Sequence, residues 1–350
     1  MLHTIIVALS VLVLMMSTLT GCDGSKGPVR IGLVTDTGGV SDRSFNATAW
    51  KGVRDAQRDM DILGAYLESQ LSSDYEQNIK SFIDQNYEMI ITVGFSQADA
   101  TKTAAEANPD RKFAIVDSSY DPALPNVMGL IFESDEAAFL AGYLAAGMSK
   151  TGKVGTFGGM QIPPVTIFMV GFEKGVQHYN KLKSANVEVI GWKTDPAAPA
   201  CGVGLFTDTF VSIEKGRLFA DQLMDNGADI VVPLAGTTGL GAAAAIKDRA
   251  MMMIGVDSDQ YVSSPDYKEI YLTSILKNTD KAIYDVIKAV LDKTFKGGNY
   301  VGTLKNSGVG LAPYHDADAQ VPIWLKVEVE QLKQDISNGT VDTGWAVCLK

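Results

Sequence analysis

"IGLVTDTGGVSDRSFNATAW", residues 31–50, is where the fold of this chain declares itself. An apolar run, Ile31-Gly32-Leu33-Val34, stops at Thr35, Asp36 and Thr37, followed by two glycines. Small polar residues come next, and large apolar side chains return only at Phe45 and Trp50. A short apolar run bounded by turn residues reads as a buried strand. The residues from about 44 to 60 read as the helix that follows it. The turn between them is wide and polar and contains an acid and an asparagine. It is either an ordinary connection with a helix cap or one wall of a ligand site.

The same alternation continues outward from this unit. Strand patterns at 64–70, 87–94, 111–119 and 126–134 are separated by helical spacing at 73–85 and 96–107, and the Ala-rich stretch 135–149 follows as a long helix. The pattern then restarts. Strands are expected at 152–159, 187–193, 228–236 and 250–259, with helices at 165–181, 212–227 and 238–249 between them. After these come the strand "EIYLTSILKN", the helix "DKAIYDVIKAVLDKTF", the strand-like "YVGTLKNSGVGLA" and an amphipathic helix at 327–339. Strands alternating with helices imply an α/β fold with parallel sheets. A chain of 350 residues exceeds what one core usually spans, so two such lobes are expected. Ligands of open α/β sheets bind beyond the carboxyl ends of the strands. Two lobes meeting there enclose a cleft.

Net charge is −11, from 41 acids and 30 bases. This speaks against nucleic acid as a partner, since a basic surface supplies most of that affinity, and against a polybasic membrane face. The start of the chain is different in kind. "TIIVALSVLVLMM" sits in a stretch, residues 1–21, that has no Lys, Arg, Asp or Glu. It is shorter than a spanning helix prefers and fits the apolar region of an export signal. Leu19-Thr20-Gly21-Cys22 resembles a bacterial lipobox, which implies a diacylglyceryl group on Cys22 and an anchor in the cell membrane outside the cytoplasm. Cys201 and Cys348 then remain. Export permits a disulfide between them. Two free thiols are the alternative, and the bonded pair is the expectation.

Polar residues recur at the predicted strand ends: Asp36, Asp117, Gly236, Asp257 with Asp259, and Lys277. One such acid is an ordinary cap or turn former. Four at the same structural level suit a ligand rich in hydroxyl and N–H donors. Asp257 follows five apolar residues, so its carboxylate is expected at the buried end of a central strand with Lys277 as its counter-charge.

These strand ends carry a resemblance. "GLVTDTGGVSDRSFNATAWKG", "GLFTD", "AGTTGLG", "IGVDSDQ" and "LTSILKNTDKAIYD" resemble the basic membrane protein family of lipoproteins, whose best-understood members are purine nucleoside receptors of ABC importers. The similarity spans residues 29–315. It implies the type I periplasmic-binding-protein fold, an α/β architecture of two Rossmann-like lobes joined by three crossover segments. The implied division is a signal over 1–21, a linker over 22–28, lobe 1 over 29–149 and 262–310, and lobe 2 over 150–261 and 311–350. It further implies a purine nucleoside of the guanosine, inosine or adenosine class as ligand and an ABC permease as partner, with no cofactor. Asp36 and Asp257 would hold ribose hydroxyls, with Lys277 and the backbone of Gly236 nearby. Phe45 and Asn46, with Phe206, would surround the base, and Asp117 would accept from its edge. "PAAPACGVGLF" and "PLAGTTGLG" depart from the usual family pattern, both on the wall supplied by lobe 2.

Rival chemistries find little support. "GMSKTGKV", residues 147–154, has Val154 where a phosphate-binding loop needs Ser or Thr, and it joins a helix to a strand rather than the reverse. His178 and His315 are far apart with no second ligand at metal spacing. No Gly-x-Ser-x-Gly occurs. The expectation is a receptor and not an enzyme. Its alternatives are a receptor for a sugar or signal on the same scaffold and, further off, a nucleoside-processing enzyme using Asp36 or Asp257.

Overall fold

The computed structural model describes residues 27–349. The expected signal and Cys22 lie outside the described residues. In chain order the first elements are β1 (Val29–Val34), α1 (Phe45–Asp59), β2 (Ile62–Leu67), α2 (Tyr75–Asp84), β3 (Met89–Val93), α3 (Ala98–Ala107), β4 (Lys112–Val116), β5 (Val127–Phe132) and α4 (Ser134–Met148). There follow β6 (Lys153–Gly158), α5 (Pro163–Lys183), β7 (Glu188–Ile190), β8 (Trp192–Thr194), β9 (Gly202–Gly204), α6 (Ile213–Asp225), β10 (Ile230–Leu234), α7 (Thr238–Asp248) and β11 (Met252–Asp257). The last are α8 (Gln260–Ser263), β12 (Tyr271–Lys277), α9 (Thr279–Leu291), β13 (Gly298–Gly302), β14 (Val309–Leu311) and α10 (Ile323–Ser337).

Two six-stranded sheets result, ordered β13-β5-β4-β3-β1-β2 and β14-β12-β11-β10-β6-β7. Every pairing in the first is parallel, and in the second only β14 runs antiparallel, against β12. The central strands are apolar without alternation: β3 and β10 are buried at every position. That is what a sheet covered by helices on both faces requires. Ile31, Leu33, Met89, Ile91 and Phe113 have no exposed surface, and neither do Phe157 and Val232 in the other lobe.

Two boundaries of the expected division differ. The stretch 262–310 was expected in lobe 1, but β12 pairs with β11 in the second sheet, Asp257 opposite Leu276. Only α9 and β13 return to lobe 1. There α9 packs on α1, whose Gly52 comes so close to Asp280 that a Cβ would sit 2.6 Å from its carbonyl oxygen. Helix α4 likewise belongs to the second lobe. It lies against α5 in direct backbone contact: a Cβ on Gly142 would fall 2.0 Å from the Phe172 carbonyl oxygen, and one on Gly175 equally close to that of Phe139. Small residues at the crossing let α4 bury most of its length and α5 its N-terminal half, Val165–Val176. The lobes are therefore 29–132 with 279–302, and 134–277 with 309–349. The chain crosses between them at Glu133, at Asn278 and through 303–308. The strand-like 300–312 stretch is this third crossover, with β13 in one sheet and β14 in the other.

The sulfurs of Cys201 and Cys348 are bonded, with Cα atoms 5.3 Å apart. The bond ties the end of the chain to the β8–β9 hairpin of the second lobe.

Candidate functional site

The carboxyl ends of both sheets face a cavity that is open at its mouth. Lobe 1 contributes Asp36, Phe45, Asn46 and Asp117, and lobe 2 contributes Gly236, Asp257 and Lys277. Seven of the eight residues expected at the site are thus brought together.

Asp36 stands one residue beyond Thr35, which follows β1. Its Oδ1 accepts from Gly38 N at 2.8 Å and from Asn46 Nδ2 at 2.7 Å. Asn46, in the first turn of α1, returns the bond: its Oδ1 accepts from Asp36 N at 3.2 Å. Burial raises the Asp36 pKa above the ordinary carboxylate value, against these two donors. Asp117 and Asp257 occupy equivalent places in the two lobes, at the ends of β4 and β11. Both have φ of +65°, a left-handed backbone that Asp tolerates better than most residues. Asp117 Oδ2 is 2.6 Å from Lys277 Nζ, and both side chains are almost wholly buried. Asp257 Oδ2 accepts from Ser44 Oγ at 2.9 Å. Burial pushes the Asp257 carboxyl up to about 6, with Lys277 and Ser44 opposing and the charges of Asp117 and Asp42 adding.

Each of these three carboxylates keeps one oxygen that receives no hydrogen bond from the described residues: Asp36 Oδ2, Asp117 Oδ1 and Asp257 Oδ1. None of the three is among the wholly buried atoms left without a partner. They are acceptors open to the cavity. Asp42 also lines the cavity but has nothing to offer. Ser44 N and Ala47 N donate to its Oδ1, and Asn46 N and Nδ2 donate to its Oδ2, so it serves as the cap of α1.

Two expectations are corrected. Lys277 bonds to Asp117, not to Asp257. Its ammonium also lies over aromatic rings, 4.9 Å from the centre of Phe45, 5.6 Å from Phe168 and 5.7 Å from Phe132. This is cation–π distance, so the charge is held between a carboxylate and three ring faces. Phe206 is not on the cavity. Its ring packs over Gly158, where a Cβ would fall 2.6 Å from it, and stands edge-on to Trp192 at 6.2 Å. The aromatic wall from lobe 2 is instead Phe210, four residues on, together with Phe168 near the start of α5. Gly236, at φ +53°, brings the β10–α7 turn against Phe210.

Phe168, Phe210, Ser44 and the Gly94–Ser96 loop after β3 were not anticipated. Phe168 is spaced as a core residue of a helix, and nothing in "TDTFV" separates Phe210 from Phe206. Ser44 had a weak signal, since Asp42 two residues before it makes a capping turn that fixes its direction. No group of three or more His, Cys, Asp or Glu residues that could hold a metal occurs among the described residues. The open acceptors and aromatic faces can bind a ligand with several donors and a flat ring.

Comparison with known proteins agrees on the fold. A solute-binding protein of an ABC transporter system from Aeropyrum pernix superposes with a TM-score of 0.80 at 26% identity, over 90% of this chain and 93% of that one. The two lobes thus form the type I periplasmic-binding-protein fold. The ABC transporter nucleoside-binding protein BmpA of Lactococcus lactis is 33% identical, covering 93% of this chain and 94% of its own. Basic membrane protein A of Borreliella burgdorferi is 32% identical, covering 91% and 88%. The model of the Bmp family, described as ABC transporter substrate-binding protein, PnrA-like, matches residues 29–200 and 205–340. With that match lying across both lobes and all three crossovers, the chain belongs to the Bmp family of ABC transporter substrate-binding proteins.

Proposed function

We propose that this protein captures purine nucleosides in the interlobe cleft and delivers them to an ABC permease, held at the membrane by a lipid on Cys22. The observation that carries the nucleoside reading is the trio of open carboxylate oxygens set among aromatic faces. A nucleoside presents hydroxyl donors at the ribose, N–H donors at the base edge, and two π-faces, and these match carboxylate acceptors and phenylalanine rings. In this reading Asp36 and Asp257 take ribose hydroxyls, Asp117 takes the base edge, and Phe45 faces Phe210 across the base. The name of the Lactococcus lactis relative points the same way. For the anchor, two relatives from Pyrococcus are named as lipoproteins, and no helix among the described residues is long and apolar enough to cross a membrane.

Calorimetry with guanosine, inosine and adenosine, their free bases, their 2′,3′-dideoxy forms and a panel of sugars tests the reading. Ribonucleosides should bind tightest, with bases and dideoxy forms weaker by tenfold or more, because each charged hydrogen bond lost removes ~1.5–3 kcal/mol. Bases binding as well as nucleosides would remove Asp36 and Asp257 from the ribose. Sugars binding where nucleosides do not would turn the reading to the other ligand class.

A further inference from the structure

The turn that precedes α1 reaches across the cleft and grips the other lobe. Ser44, wholly buried, places its hydroxyl 2.9 Å from Asp257 Oδ2 and 3.1 Å from the Val256 carbonyl oxygen. One residue earlier, the Arg43 carbonyl oxygen accepts from Ser258 Oγ at 3.0 Å and from Ser263 Oγ at 2.7 Å. The Arg43 side chain meets Asp266 at 3.0 Å. All these partners lie in lobe 2, between residues 256 and 266, while Arg43 and Ser44 lie in lobe 1. Arg43 holds φ of +58°, in the left-handed region. The four donors on Asp42 and the bond from Thr48 N to the Ser44 carbonyl oxygen fix the turn to α1.

We propose that this turn is a latch that holds the cleft closed without ligand, and that Ser44 is a positioning residue that presents Asp257 to the ligand only when the latch is engaged. The contacts join protein groups of the two lobes directly. The exposed Arg43–Asp266 pair adds little to it. The sheltered hydroxyl bonds supply the hold on this side of the cleft, while the buried Lys277–Asp117 pair joins the lobes beside the Asn278 crossover. A lobe that swings open takes Ser44 away from Asp257, and the carboxylate loses its only protein donor among the described residues. Ligand release and loss of the aligned acceptor are then one event.

The kinetic arm rests on the nucleoside reading, and the ligand-free arm does not. Neither Ser258 nor Ser263 lines the cavity. The double variant Ser258→Ala/Ser263→Ala removes both bonds to Arg43. Small-angle scattering of the ligand-free protein should show a larger radius of gyration than wild type. Guanosine should dissociate on the order of ten times faster, with association little changed. Ser44→Ala gives a signature that a packing role would not. Asp257 faces Ser44, Lys277, Asp117, Asp42 and Asp36, and the Ser44 hydroxyl favours its charged form. Losing that hydroxyl should move the midpoint of the pH–binding profile upward. Scattering identical to wild type in the double variant would overturn the latch whatever the ligand is. An unmoved midpoint in Ser44→Ala would overturn the positioning role. A changed scattering curve with no nucleoside bound by any of the proteins would leave the latch standing and remove the nucleoside reading.

Discussion

The charge on Asp257 gives the sharpest test of how the ligand is held. Its ordinary pKa of 3.8 is raised to about 6 by burial. An oxygen that accepts from ribose hydroxyls must be ionised to do so well, so at pH 5 only about a tenth of the ligand-free protein is competent at this group. Apparent affinity scales with the competent fraction, and binding should be about tenfold weaker at pH 5 than at pH 7. Asp257→Asn keeps the shape and removes the charge. It exchanges a charged hydrogen bond for a neutral one, a loss of ~1–2 kcal/mol, or roughly five- to thirtyfold in Kd. It should also remove this group's share of the pH dependence. The stability consequence has the opposite sign. A carboxyl whose folded pKa is raised binds its proton more tightly in the native state. Stability therefore falls as pH climbs from about 4 to about 6, and the full penalty, up to about 3 kcal/mol, is present above that. Ligand-free Asp257→Asn should thus melt higher than wild type at pH 7 while binding worse, the usual trade between site and stability. Calorimetry at pH 5, 6 and 7 with paired melting curves measures both. Wild-type affinity in the variant would refute the role, and an Asn variant less stable than wild type at pH 7 would refute the burial argument.

Three further outcomes follow from the geometry. Phe210→Ala should weaken nucleoside binding by tenfold or more, through lost area and lost ring contact, while Phe206→Ala lowers the melting temperature and leaves Kd nearly unchanged; the reverse pattern in calorimetry and melting would return Phe206 to the site. Cys201→Ser with Cys348→Ser opens a loop set by a sequence separation of 147, which the chain-entropy argument values at up to ~5 kcal/mol and practice usually less; the variant should unfold at lower denaturant, and an unchanged midpoint would show that the bond adds no stability. Burial pushes Asp135, bonded to Thr343 in the C-terminal tail, up to about 7, so Asp135→Asn should be close to neutral at pH 4 and stabilising at pH 8 in thermal melts, because the wild-type penalty builds as pH rises from about 4 to about 7 and is fully present above that; a difference flat in pH would contradict this.

What was legible from the sequence was whatever depended on neighbours along the chain. Ile31–Val34 and Ile230–Leu234 are strands because nothing polar interrupts them, and Asp36, Asp117 and Asp257 stand out because the polarity changes where the sheet ends. What was not legible depended on partners far away. Strand β12 looks alike whichever sheet it joins, and only its register with β11 decides. The surface of α4 is apolar nearly all round, which says that it is buried but not against which lobe; Gly142, Gly171 and Gly175 decide that by letting α4 and α5 touch. Phe206 and Phe210 sit in an irregular segment, where no periodicity tells one facing from the other. Lys277 was expected to face Asp257, and its bond to Asp117 instead rests on a distance of 2.6 Å across 160 positions.

The two acids at φ +65° show why so much of the site lies at strand ends. A regular strand turns alternate side chains to the two faces of its sheet, where helices cover them, so a carboxylate within β4 or β11 would be buried against a helix and not offered to a ligand. A left-handed residue at the last position breaks that alternation and swings the side chain forward off the end of the sheet. Aspartate is among the few residues that do this at low cost, and here it does so once in each lobe, at Asp117 and at Asp257. The two carboxylates then approach one cavity from opposite sides. Lys277 offsets their shared charge by a direct bond to Asp117 and by its field at Asp257. Four acids still line the cavity against one ammonium. A ligand carrying a phosphate would add negative charge where a neutral, donor-rich molecule would relieve it, so under the proposed nucleoside reading a 5′-monophosphate should bind more weakly than its nucleoside in calorimetry, and equal affinity would contradict the charge argument.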